Sequence, residues 1–123
     1  MSYRCVELIG RPYKLGADGS QAEIDCIHLV YKALAYMNIK APKFKKSWYT
    51  DSKFSIHKEL LSWGYKAEKA EYNGDVLLLP SDDWAFAVTW EKGILYINRV
   101  SMKSCWMPIS QLKKYHCYRM RKN

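Results

Sequence analysis

Asp25-Cys26-Ile27-His28-Leu29-Val30 is the stretch on which the fold turns. Behind it, Leu29, Val30, Ala33, Leu34 and Met37 recur at three- and four-residue spacings, which predicts an amphipathic helix from Asp25 to Met37. Asp25 sits where a helix start needs an acceptor for its free backbone amides, so it reads as an N-cap or first-turn residue. Upstream, Gly10 to Ile24 carries three glycines, Pro12, Asp18 and Ser20 and predicts an irregular loop. Before that, Tyr3 to Ile9 has helical apolar spacing and stops at Gly10, a short helix.

Downstream the character changes. Pro42 marks the helix exit, and residues 42 to 55 are Lys-rich and aromatic without a clear period. Ile56 to Trp63 predicts a second helix ended by Gly64. After the turn Tyr72-Asn73-Gly74-Asp75 come apolar strands at Val76–Leu79 and Trp84–Trp90. Glu91-Lys92-Gly93 makes a hairpin turn into a third strand, Ile94–Val100. Cys105–Met107 and His116–Met120 complete an antiparallel sheet of about five short strands. Helices first and sheet second is an α+β layout.

The chain has 123 residues, 49% of them hydrophobic and 26% charged, which predicts one globular domain spanning 1–123 and excludes a disordered or fibrous chain. No apolar run approaches membrane-spanning length. Met1 to Gly10 lacks the basic-then-apolar layout of a signal peptide, so cytoplasmic synthesis is expected. The net charge of +8 favours anionic partners such as nucleic acid, phospholipid heads or acidic wall polymers, or simply keeps the surface solvated. The cysteines, Cys5, Cys26, Cys105 and Cys117, show neither a C-x-x-C pair nor zinc spacing. Three read as reduced core thiols and one as chemically interesting; no metal and no cofactor is expected.

The interesting one is Cys26. In the first turn of a helix it would face outward-pointing amides and the positive end of the helix dipole, which favours thiolate over thiol. Its alternative is a small buried hydrophobe on the apolar face.

Ile9-Gly10-Arg11-Pro12-Tyr13, a Gly-containing loop, Asp25-Cys26-Ile27-His28-Leu29-Val30 and, after a spacer, Gly74-Asp75-Val76-Leu77-Leu78-Leu79 stand in one order over nearly the whole chain. That order resembles the NlpC-type cell-wall peptidases, papain-like cysteine hydrolases that cleave the peptidoglycan stem peptide. The spacer with Trp48-Tyr49 looks most like small stand-alone members encoded with phage tails. The resemblance implies a papain-like fold, Cys26 in the nucleophile position, Tyr13 lining the cleft and Asp25 receiving a substrate amino group, where a helix cap serves equally well. It implies a third polar position near Asn98. It also implies a γ-D-glutamyl-diaminopimelate type substrate, a phage or bacterial source, tail proteins as partners and association with the virion.

The chain departs from the pattern where the general base should stand. That position falls near Ala85, and no histidine lies between His57 and His116. The glycine after the nucleophile is His28, whose side chain should point to another helix face than Cys26. His57 belongs to the spacer and His116 to the C-terminal strand; each reads better as a structural histidine. Asp82 and Asp83 are the other titratable groups near the vacant position, and a carboxylate there needs burial to become a base. Trp84 and Trp90 read as core or cleft wall. Three functions follow: a working thiol hydrolase; a catalytically silent relative serving as a structural or wall-binding part of a phage tail; and a basic nucleic-acid-binding domain, which rests on charge and the stretch Phe44–Phe54 with no recognition motif behind it.

Overall fold

The computed structural model describes residues 2–41, 61–62, 64–79 and 86–120. A 3-10 helix, Ser2–Leu8, leads through the loop into helix α1, Cys26–Tyr36. Six strands follow: β1 (Gly64–Ala67), β2 (Val76–Leu78), β3 (Phe86–Trp90), β4 (Gly93–Asn98), β5 (Lys103–Pro108) and β6 (His116–Met120). They form one sheet in the order β1-β6-β2-β3-β4-β5, every neighbouring pair antiparallel. The α+β expectation holds, with one strand more than foreseen. β1 is an edge strand of four residues with Tyr65 and Lys66 exposed, so it carries no apolar run to announce it. Of the expected spacer helix, Leu61 and Ser62 are helical and the rest lies outside the described residues.

The period-two alternation of the strands sorts the sheet into two faces. Val76, Leu78, Phe86, Val88, Leu95, Ile97, Tyr118 and Met120 face α1 and join Ile27, Leu29, Val30, Ala33 and Leu34 in the main core. Leu77, Ala87, Ile94 and Cys117 form a second core on the opposite face, packed by Tyr96, Met107, Ile109, Leu112 and Tyr115. Because both faces are covered, β2 and β3 are buried along their full length, and that is why they read as continuous apolar runs. Each of the five buried apolar side chains of α1, Ala33 aside, contributes on the order of 1.5–3 kcal/mol by leaving water.

Two local devices hold the frame. Asp75, fully buried before β2, accepts from Glu71 N and Tyr72 N at 3.0 Å each and from Arg119 Nε and Nη2 at 3.1 Å each. The Gly-Asp pair before the apolar strand is therefore a clasp joining the turn to β6, with the Arg119 guanidinium also stacked over Tyr72. In the β3–β4 hairpin, Glu91 and Lys92 both take left-handed φ, 51° and 60°, as a two-residue turn matched to strand twist requires. Gly93 follows because Trp106 lies across it; a Cβ there would collide with the indole, whose Nε1 donates to Trp90 O at 2.9 Å.

Candidate functional site

The site begins at the start of α1. Asp25, in extended backbone (φ −102°, ψ 174°), is the N-cap, and Cys26 is the first helical residue. The Asp25 side chain is fully buried. Its Oδ1 accepts from His28 N at 2.8 Å and meets His28 Nδ1 at 2.9 Å; its Oδ2 accepts from Gly16 N at 3.1 Å. Both oxygens are thus engaged inside the protein, one fastening the Gly-rich loop to the helix. The substrate-amine role expected for Asp25 would require undoing this cap. His28 occupies the third helical position and folds back onto its own cap, so its ring is directed to Asp25.

Cys26 is partly buried and borders the α1-side core together with Tyr13. Tyr13 is placed by the loop: its N donates to Met102 O at 2.8 Å, and the residue bridges to Ile24 beside the helix start. Burial pushes the Cys26 thiol above its ordinary value, and the Asp25 carboxylate adds to the rise. A hydrogen bond from the Phe86 backbone amide opposes the shift without cancelling it. Dehydration of the charged form thus works against the helix-start amides, in the direction of the buried-hydrophobe alternative.

Asn98 is not brought to Cys26. On β4, Leu95 and Ile97 face α1, while Tyr96 packs on the opposite core, and Asn98 follows Tyr96 by strand parity. Its Nδ2 donates to Tyr96 Oη at 3.2 Å, and its Oδ1 accepts from Val100 N and Ser101 N at 2.9 and 3.0 Å. Asn98 caps a turn instead of orienting an imidazole. Ala85, with Asp82, Asp83, Trp84 and His57, lies outside the described residues. Trp90 is buried in the main core.

The strand register also places His116. Tyr115 and Cys117 belong to the far face and Tyr118 to the near one, so His116 lies on the α1 side of β6. It is paired with Leu78, which is paired with Phe86. One row across the near face therefore runs from His116 through Leu78 to Phe86 at the start of β3. Two strand spacings put these backbones roughly 10 Å apart. Only the pairing order could reveal this row, because its members lie on strands far apart in the chain.

Among the cysteines, Cys5 and Cys117 are buried, but Cys105 is partly exposed on β5 and not a core thiol. Among the described residues, no group of three or more His, Cys, Asp or Glu could hold a metal. No helix among them is long and apolar enough to cross a membrane.

No protein-family model matches this chain, and no curated protein matches it in sequence. Its fold does have a solved counterpart. The structure of NlpC2 from Trichomonas vaginalis superposes with a TM-score of 0.66 over 99% of this chain, at 12% sequence identity. The fold is NlpC-like. The chain spans 45% of that protein's length, so the likeness concerns architecture.

Proposed function

We propose that this chain is a catalytically impaired NlpC-type domain that binds a peptidoglycan stem peptide and serves as a structural or wall-binding part of a phage tail. One observation carries the reading: of the polar groups flanking Cys26 in the chain, His28 bonds through its amide and ring Nδ1 to Asp25, and Asp25 is wholly buried. The thiol itself is held toward its neutral form by burial. A thiol hydrolase needs base and nucleophile as a unit, and losing the base costs several orders of magnitude in turnover. Binding needs neither. The experiment is calorimetric binding of a γ-D-glutamyl-diaminopimelyl peptide beside product analysis by mass spectrometry. Saturable binding that is equal in wild type and Cys26→Ser, without product, is expected. Cleavage that disappears in Cys26→Ser overturns the reading, and absence of binding removes the peptide altogether. Stoichiometric co-purification with tail proteins tests the structural role.

The strand register favours one other reading. With His116 on the α1-facing row that ends at Phe86, a thiol hydrolase could draw its base from β6 in place of the vacant position near Ala85. Residue-resolved alkylation of Cys26 against pH separates the two without a substrate. A reactive limb near neutral pH that is lost in His116→Gln supports the hydrolase; a single high-pH limb unchanged by His116→Gln supports the impaired domain.

A further inference from the structure

The corner of the molecule built by the β4–β5 turn carries features that the cleft does not explain. Residues 10–13 lie along the start of β5: Gly10 N donates to Ser104 O and Tyr13 N to Met102 O, each at 2.8 Å, and Ser104 N donates to Arg11 O at 2.9 Å. The turn beyond is rigidly built. Asn98 Oδ1 accepts from Val100 N and Ser101 N, and Met102 N returns to Asn98 O at 2.7 Å.

On this braced turn Val100 is 95% exposed and Met102 is 47% exposed. Met102 takes a left-handed φ of 56°, where glycine or asparagine would sit at lower cost. Leu15, 66% exposed, stands on the neighbouring turn closed by Ala17 N to Lys14 O at 3.0 Å. Isolated exposed apolar side chains are ordinary. Here they fall on two segments, 10–16 and 99–103, that the Tyr13 N to Met102 O bond holds side by side, and these segments contain Arg11, Lys14, Arg99 and Lys103 and no acidic residue.

We propose that this corner docks on an anionic phospholipid bilayer. Val100, Met102 and Leu15 enter the headgroup region, and Lys14, Arg99 and Lys103 meet lipid phosphates. Apolar contact and basic charge together are the two signals that hold a protein at such a surface. The local charge and the net +8 of the chain complement it. Phosphate contacts of a nucleic acid would use the cations alone, whereas a bilayer engages the apolar tip as well. The inference is independent of catalysis at Cys26.

The test is co-sedimentation of the whole protein with phosphatidylcholine vesicles, with and without about one third phosphatidylglycerol, at low and high salt. Binding is expected with phosphatidylglycerol and little without it. Val100→Asn/Met102→Asn should weaken it roughly tenfold or more, and Arg99→Gln/Lys103→Gln should abolish the lipid preference and much of the salt dependence. Asparagine tolerates the left-handed conformation at 102, and circular dichroism melting verifies that both variants fold. No binding to the anionic vesicles overturns the proposal. So does undiminished binding by a folded Val100→Asn/Met102→Asn variant, since the charge of the whole surface would then suffice. Vesicle binding that duplex DNA displaces equally from wild type and from this variant overturns it as well.

Discussion

Replacing Asp25 by alanine takes away the acceptor on which the start of α1 and the Gly-rich loop both depend. The carboxylate receives His28 N at 2.8 Å and Gly16 N at 3.1 Å and meets the His28 ring at 2.9 Å, all in a fully buried position. Loss of the N-cap alone costs about 1 kcal/mol. The Gly16 amide and the His28 ring, left without this acceptor, add on the order of 1 kcal/mol each. Asp25→Ala should therefore destabilise by about 2–4 kcal/mol. Asp25→Asn keeps one acceptor for His28 N but turns an amide NH2 toward a donor, and should fall between the two at about 1–2 kcal/mol. Urea unfolding followed by circular dichroism reads both. With a slope of about 1.5 kcal/mol per molar, the Asp25→Ala midpoint drops by roughly 2 M at unchanged slope. The variants also report on the thiol: the Asp25 carboxylate raises Cys26, so Asp25→Asn should move the alkylation midpoint of Cys26 to lower pH. An Asp25→Ala protein within about 0.5 kcal/mol of wild type would refute the cap argument and return Asp25 to a ligand-facing role.

Three further outcomes are expected. Arg119→Met strands the buried Asp75 carboxylate with only its two backbone donors and should cost about 3 kcal/mol in urea unfolding, below the fully buried limit because the guanidinium is partly hydrated. Burial pushes Cys5 up to about 11 and Cys117 up to about 12 from an ordinary 9.0. The fold thus favours the neutral thiols: that stability is complete below about pH 9 and is lost as pH rises toward 11 to 12, and Cys117→Ala should blunt the alkaline fall in melting temperature. Alkylation of Cys26 in the folded protein should have a higher-pH midpoint than in the urea-unfolded protein, since burial raises its thiol; a lower midpoint would contradict this assignment.

Much of the architecture was legible along the chain because it is local. The helix after Asp25 follows from apolar spacing and a short polar cap, and the β3–β4 hairpin from two flanking apolar runs around Glu91-Lys92. These signals operate within a few residues, where backbone geometry and solvation decide the conformation. β1 escaped because its four residues pair at an edge with β6, and Gly64 is there since a Cβ would strike the Arg119 carbonyl. That requirement comes from a strand more than fifty residues away.

The site divides along the same line. Asp25 as a cap was readable from its place before the apolar spacing. The face on which Asn98 lies, the closure of Asp25 and His28 onto each other, the rise of the Cys26 thiol and the row from His116 to Phe86 were decided only when strands from distant parts of the chain paired. Strand register assigns every second side chain to one face, and burial sets the cost of a charge. Neither quantity belongs to a residue or its near neighbours; both arise when the chain packs.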